Sequence, residues 1–320
     1  VWGFIKPRPY DIVANPTNTP RDIFVTGFDS APIAASYDFI IDGQEKYLQT
    51  GLDALAKLTS GKVYLAISPA TKNKGLRDAK NVVVTEFDGP HPAGNAGVHI
   101  NHLAPVNKGE TVWTLSALDV LFIGRLFNKG VVDLTRKIAL TGSEVKQTGY
   151  YSMLIGTELT KLFAGNVAEG SLRYISGNVL TGTKIEANGA LRATHSQVTV
   201  IPEGDDVHEF VGWASLSPNR YSSGNTYLQL KKGYRMDARV LGGPRAIIVS
   251  NEYEKVFPMD VMPEQLIKST IAFNIDKMEQ LGIYEVAPED FALCEFVDTS
   301  KLEIQKIIRI GLDQLRKEME

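Results

Sequence analysis

Cysteine is nearly absent. Cys294 is the single one in 320 residues, which excludes an internal disulfide framework and a multi-cysteine metal site within this chain. It fits a reducing compartment. An excess of cations is lacking too: Lys plus Arg number 34 against 37 Asp plus Glu, a formal net charge of -3. Nucleic-acid binders displace phosphate counterions with Lys and Arg, so this balance excludes an electrostatic one. No apolar run reaches the roughly 20 residues of a membrane span. The most apolar stretch, residues 112–127, is interrupted by Asp119, Gly124 and Arg125. Neither G-x-G-x-x-G nor G-x-x-x-x-G-K-[ST] follows a strand, so no phosphate cradle is indicated. The loop after the first apolar run, Gly27-Phe28-Asp29-Ser30-Ala31-Pro32, has a lone glycine. No Ser-His-Asp or Cys-His arrangement can be named from spacing. Cys294 lies in an apolar stretch, Phe291-Ala292-Leu293-Cys294-Glu295-Phe296, that favours an inert thiol.

What is present is a globular pattern: 43% hydrophobic and 22% charged residues, in a chain long enough for two or more domains. Residues 1–21 hold Pro7, Pro9, Pro16 and Pro20 with little periodicity, and read as a linker or the remnant of a preceding domain. The first residues, Val-Trp-Gly-Phe, lack a start Met and a charged leader. The last stretch is still in helical rhythm at Glu320, so both ends read as cut.

From Ile23 an apolar run, Ile23-Phe24-Val25-Thr26, precedes a helical pattern over 44–58 that puts Tyr47, Leu48, Leu52, Leu55 and Leu58 on one face. Buried-type strands follow at 63–67 and 82–84, a helix at 117–128 ending near Gly130, and a strand at 134–140 that closes the unit. Strands alternating with helices indicate a parallel sheet with crossover helices. Beyond Thr141 the chain turns to short strands at 172–175, 183–185 and 198–201, punctuated by Gly170, Gly177, Gly182 and Gly189, as in a small α+β unit. Residues 211–249, with alternation such as Tyr227-Leu228-Gln229-Leu230, read as an extended β excursion. From Met259 the pattern is helical, with Pro263 at a first helical position. A capping-box spacing, Ser300-Lys301-Leu302-Glu303, opens the final helix.

The densest constellation is Gly89-Pro90-His91-Pro92-Ala93-Gly94-Asn95-Ala96-Gly97-Val98-His99-Ile100-Asn101-His102, directly after the strand at 82–84. Ligands of open α/β sheets bind at that carboxyl edge. Glycines permit close backbone approach and prolines stiffen the loop. Two readings stand side by side: a preformed loop that contacts a ring or a phosphate, and a rigid turn that docks on a neighbouring domain. His91, His99 and His102 invite a zinc reading, but no cysteine and no His-Glu pair accompanies them. A histidine donating to a quinone-like carbonyl, or one simply satisfied by backbone, fits better.

These residues resemble a known family. Gly89-Pro90-His91-Pro92-Ala93-Gly94, His99-Ile100, Pro105-Val106-Asn107 and Gly109-Glu110-Thr111-Val112-Trp113 are similar to the NqrA-type subunit of the Na+-translocating NADH:quinone oxidoreductases. Ile23-Phe24-Val25-Thr26, residues 173–180, Phe257-Pro258-Met259-Asp260 and residues 294–305 extend the match in order over almost the whole chain. The resemblance brings in two relatives, the RnfC-type subunit of the Rnf complex and the flavin-bearing subunit of respiratory complex I.

It implies an α/β plus α+β fold: a linker or barrel-sandwich remnant (1–21), a Rossmann-like parallel sheet (22–145), a β-grasp soluble-ligand-binding (SLBB) domain (146–205), a β extension (206–257) and a helical, degenerate ferredoxin-like domain (258–320). The Rnf-type helical domain holds clusters through C-x2-C-x2-C-x3-C-P. The matching positions here are Pro288, Phe291, Cys294 and Asp298, so no cluster is expected, and the flavin-site glycines of the complex I relative are missing. The implied function is a peripheral subunit on the cytoplasmic face of the membrane, docking on the other subunits of a complex that couples NADH oxidation and quinone reduction to Na+ export. Neither a tightly bound cofactor nor catalysis is expected in this chain itself, with flavins and a 2Fe-2S cluster in partner subunits and nucleic acid excluded. Quinone contact is placed at Phe28, Asp29, His91, Pro92, Gly94 and His99. The alternative is an assembly scaffold with no ligand.

Overall fold

Short apolar runs set two separate sheets. The computed structural model describes residues 1–205, 221, 223 and 233–319, and these fall into two compact units. One comprises Val1–Leu134, Val249–Phe296 and Glu303–Glu320, the other Thr135–Ile248 and Val297–Leu302.

The first unit begins with β1 (Lys6–Arg8), β2 (Ile23–Thr26), α1 (Tyr37–Ile41), α2 (Glu45–Leu55), β3 (Val63–Ile67) and α3 (Lys74–Arg77). It continues with β4 (Val83–Glu86), α4 (Ala96–Leu103), β5 (Val112–Ser116) and α5 (Ala117–Lys129). The sheet order is β1-β5-β2-β3-β4. β5, β2, β3 and β4 run parallel, and β1 joins the β5 edge antiparallel, with Pro7 opposite Trp113. The order β4-β3-β2-β5 reverses direction at β2, so the topological switch point lies between β2 and β5. β2 reads as a continuous apolar run, with Ile23, Phe24 and Val25 at most 1% exposed, as expected of a strand covered on both faces. α2 packs on α5 through glycines: a Cβ on Gly124 would stand 1.7 Å from the Tyr47 carbonyl oxygen, and one on Gly51 2.5 Å from Val120. Gly130, at φ 70°, caps α5 in the left-handed region.

Residues 1–21 are a correction to the linker reading. A 3-10 turn, Trp2–Phe4, and β1 build them into the first unit, where Phe4, Ile5 and Arg8 are buried and the Trp2 and Trp113 rings meet edge to face at 5.3 Å. The prolines here interrupt helical periodicity but still allow an edge strand, which leaves one row of N–H groups unused.

The second unit carries β6 (Thr135–Thr141), β7 (Gly149–Leu154), α6 (Thr160–Phe163), β8 (Leu172–Ser176), β9 (Thr183–Ile185) and β10 (Gln197–Pro202), in sheet order β7-β6-β10-β8-β9. Its core gathers Ile138, Leu140, Leu159, Phe163, Leu191, Val198 and Val200. The strand expected to close the first sheet is β6, and it belongs here: it pairs parallel with β10 and antiparallel with β7. An apolar alternating strand fits either sheet by pattern, and its partners alone decide. Part of the expected β extension, including Tyr227 to Leu230, lies outside the described residues. Its described part, residues 233–257 with 221 and 223, contains no strand.

The first unit ends in α7 (Pro263–Ile271), α8 (Ile275–Gln280), a 3-10 turn (Pro288–Phe291), α9 (Ala292–Val297) and α10 (Ile304–Met319). The capping box at Ser300 does not form: the Ser300 hydroxyl donates to the Ala246 carbonyl at 3.0 Å. The first turn of α10 is satisfied instead by the Glu295 carboxylate, which accepts from the Gln305 N–H at 2.8 Å. No helix among the described residues is long and apolar enough to cross a membrane.

Candidate functional site

The six residues singled out by sequence come together at the carboxyl end of the first sheet, and a serine joins them. After β2 the chain turns at Gly27, where a Cβ would lie 2.6 Å from the Ala66 carbonyl oxygen. Asp29 then folds its own loop, its carboxylate accepting the Ala31 N–H at 2.8 Å. The next side chain, Ser30, reaches the loop after β4. Its Oγ accepts the Gly94 N–H at 2.8 Å and lies 3.0 Å from His91 Nδ1. The loop between β4 and α4 closes on itself: Ala93 N–H donates to Pro90 O at 3.0 Å and Asn95 N–H to Pro92 O at 2.8 Å. Pro92 and Gly94 are buried, while Phe28, Asp29 and His91 are half-buried.

β2 and β4 are not neighbours, since β3 lies between them. The two loops meet because each is long enough to cross the end of β3. The switch point between β2 and β5, where ligands of such sheets usually sit, is occupied by the Tyr37 hydroxyl, 3.0 Å from Ser116 Oγ, and Ser116 caps α5.

His99 lies beneath this surface, 1% exposed. Its Nε2 donates to the Ala93 carbonyl at 2.8 Å, because a carbonyl can only accept. Nδ1 is therefore the bare nitrogen, buried and without a partner. Its ring is tilted against Phe87 at 4.4 Å and against Phe28 at 5.9 Å, so one side of Phe28 already has an aromatic neighbour. His102 lies further along α4, its Nδ1 2.9 Å from the Val98 carbonyl. Burial pushes His91 down to about 4. Burial, reinforced by His102 and opposed by the Ala93 hydrogen bond, takes His99 to about 4 as well. Both rings are neutral at physiological pH. His91 Nε2 is buried with no partner.

Sequence reasoning missed the acidic floor of the site. Arg8 is 0% exposed; it donates to Asp11 at 2.9 Å and to Glu289 at 3.1 Å, and stands 4.0 Å from Asp290. Asp290 accepts the Ala287 N–H at 2.8 Å and packs under the first turn of α4, where a Cβ on Gly97 would meet its carboxylate at 2.3 Å. A carboxylate at a helix N-terminus is favourable. Burial raises the Asp290 carboxyl against the opposing charge of Arg8, and burial also raises Asp29, with Glu289 adding to it. An arginine between two prolines and an acid 281 residues away give no local signal of partnership. Ser30 sits in a recognisable turn, but nothing in the sequence pairs it with His91.

The four positions that the resemblance matches to cluster ligands make contacts within the fold. Pro288 opens a 3-10 turn, the Phe291 ring lies 4.8 Å from Phe257, and Cys294 is 0% exposed. The Asp298 carboxylate accepts the Ser300 and Leu302 N–H groups at 2.8 and 2.7 Å. Among the described residues no group of His, Cys, Asp and Glu is arranged to hold a metal ion.

Two family models match the chain, described as the NqrA second alpha/beta domain over residues 1–132 and the NQRA C-terminal domain over 137–187. The chain is 38% identical over 322 aligned residues to the NqrA protein of the Na(+)-translocating NADH-quinone reductase of Serratia proteamaculans (strain 568), covering 99% of this chain and 71% of that protein. It is 37% identical to the protein of the same name from Saccharophagus degradans, covering 99% and 72%. A solved NAD+-reducing NiFe-hydrogenase, in its air-oxidised state, overlays 59% of this chain and 41% of its own with TM-score 0.42 and 14% identity, too distant to carry weight. With identity at this level sustained from end to end, the chain belongs to the NqrA family of Na(+)-translocating NADH-quinone reductase subunits.

Proposed function

We propose that this chain works as a docking subunit of a Na+-translocating NADH:quinone reductase, performs no catalysis itself, and offers quinone a contact at the His91 loop. The observation that carries the first part is the 38% identity across 99% of the chain to the NqrA protein of such a reductase. In this reading the protein sits on the cytoplasmic face of the membrane, held by partner subunits that carry the flavins and the 2Fe-2S cluster. Its layout is that of a Rossmann-like sheet within residues 1–134, a β-grasp SLBB domain built on the second sheet from Thr135, and a degenerate ferredoxin-like helical segment over 258–320.

The contact itself is supported by an unpartnered imidazole nitrogen at the carboxyl edge of the parallel sheet. A neutral His91 can donate to a quinone carbonyl, with Phe28 alongside for stacking. Asp29, Pro92, Gly94 and His99 shape and support the loop. The close packing of these loops favours a second reading, a scaffold that binds no ligand. Titration of the intact protein with a short-chain ubiquinone separates the two. Saturable binding, weakened about tenfold in the His91→Ala, Phe28→Ala double variant, supports the contact, since tenfold corresponds to the loss of about one hydrogen bond. Unchanged affinity at unchanged thermal stability, or photolabelling confined to residues 258–320, leaves the scaffold.

A further inference from the structure

We propose that Ser30 is a positioning residue that holds His91 as the tautomer with its proton on Nε2. The backbone N–H of Gly94 can only donate, so at 2.8 Å the Ser30 Oγ must accept from it. The hydroxyl has one hydrogen, and its other neighbour is His91 Nδ1 at 3.0 Å. Sending that hydrogen to the Nδ1 lone pair uses both partners of the serine and places the ring proton on Nε2. The reverse tautomer would make Oγ accept twice and leave the serine hydrogen without an acceptor in the protein, while Nε2 would become a bare buried acceptor. Two polar groups would then be unpaired in place of one.

The relay Gly94 N–H to Ser30 Oγ–H to His91 Nδ1 thus converts an ordinary loop imidazole into a fixed donor. It rests on residues from the loops after two non-adjacent strands, so the tautomer is set by the fold of the first unit. His99 below is its opposite, since Nε2 is engaged by the Ala93 carbonyl and Nδ1 is a bare acceptor. The functional meaning, a donor aimed at a ligand carbonyl, rests on the quinone reading above; the tautomer itself does not.

The test uses the full chain with ¹⁵N-labelled histidine and long-range ¹H–¹⁵N correlation at neutral pH, with the His91 signals assigned by their loss in His91→Gln. The expected wild-type pattern is an unprotonated Nδ1 and a protonated Nε2. Ser30→Ala should admit a measurable population of the Nδ1-protonated form, and Ser30→Thr, which keeps the hydroxyl, should restore the single tautomer. A protonated Nδ1 in the wild type overturns the proposal, and so does a His91 pattern that Ser30→Ala leaves untouched. Should Ser30→Ala not fold, the wild-type and Ser30→Thr patterns still decide: an Nδ1-protonated ring in either refutes the role. If the tautomers behave as expected but the short-chain ubiquinone binds wild type and His91→Gln equally, the quinone contact fails and the positioning role stands.

Discussion

Each unit of this protein holds a histidine with the same three atoms, in different settings. In the first, a Gly94 N–H and His91 Nδ1 share Ser30 Oγ at 2.8 and 3.0 Å. In the second, an Arg192 N–H and His195 Nδ1 share Ser176 Oγ at 3.0 and 2.9 Å. The amide donor lies three residues after its histidine in one case and three before it in the other. Ser176 ends β8 and is 0% exposed, anchored in a sheet next to Gly177, whose φ is 97°. Ser30 stands in a half-buried loop after β2. The same hydrogen-bond economy therefore serves a strand end in one unit and a loop meeting in the other. Both rings are half-buried, so the difference between the two relays lies in what anchors the serine, a sheet in one unit and a loop in the other.

The sharpest way to break this comparison is at the glycines beside each relay. Gly177→Ala must adopt a conformation disfavoured for a side chain and push its Cβ to 3.1 Å from the His195 ring, with an expected loss of about 3 kcal/mol. Gly94→Ala has an ordinary backbone but meets Ser30 N and Oγ at 2.8 and 2.9 Å, with an expected loss of about 2 kcal/mol. Urea denaturation, with hydrogen exchange read separately in the two units, checks both numbers and their order.

Acid should soften the two units in sequence. His91 and His99 titrate near 4 in the folded protein, down from 6.5. The unfolded chain therefore binds more protons between those values, and stability is lost as pH falls from 6.5 to 4. Asp290, raised by burial, binds its proton preferentially in the folded state and offsets part of this loss. Asp29, Glu285 and Glu295 of the same unit, each raised by burial, offset more of it. In the second unit Glu203 is held down to about 2, first by the Arg173 hydrogen bond and then by Lys184. Its contribution is present above 4.5 and is lost only as pH falls toward 2. Hydrogen exchange at pH 7, 5 and 4 should show the first unit opening before the second. The reverse order would mean that the raised acids of the first unit outweigh its histidines.

The smallest effects are expected from the serines themselves. Ser176→Ala removes, at a fully buried strand end, the hydroxyl shared by the Arg192 N–H and His195, for about 1.5 kcal/mol, whereas Ser30→Ala in its half-buried loop should lose about 0.5 kcal/mol. Equal losses, measured by thermal melts, would show that the loop relay is as structural as the strand relay.

Much of this was legible in the residues. β2 and β3 announce themselves as continuous apolar runs, α5 by its apolar content and Gly130, and α7 by Pro263 at its first turn, because each of these signals is local. The His91 loop was legible as a stiff, glycine-bearing segment for the same reason. β6 was legible as a strand but not as a member of the second sheet, since alternation states which face is buried and not which partner buries it. β1 was hidden by prolines that an edge strand tolerates.

By itself, then, the sequence determined the alternation of strands and helices, the lack of thiol ligands around Cys294, and a glycine- and proline-bearing segment in which histidines crowd together; that His99 and His102 lie on a helix of it was not legible. Only the tertiary structure decided that Ser30 meets His91 across β3, that Arg8 is buried among Asp11, Glu289 and Asp290, and which nitrogen of His91 and of His99 is left without a partner. Those outcomes depend on contacts between residues far apart in the chain, and on counting every donor and acceptor where water is excluded.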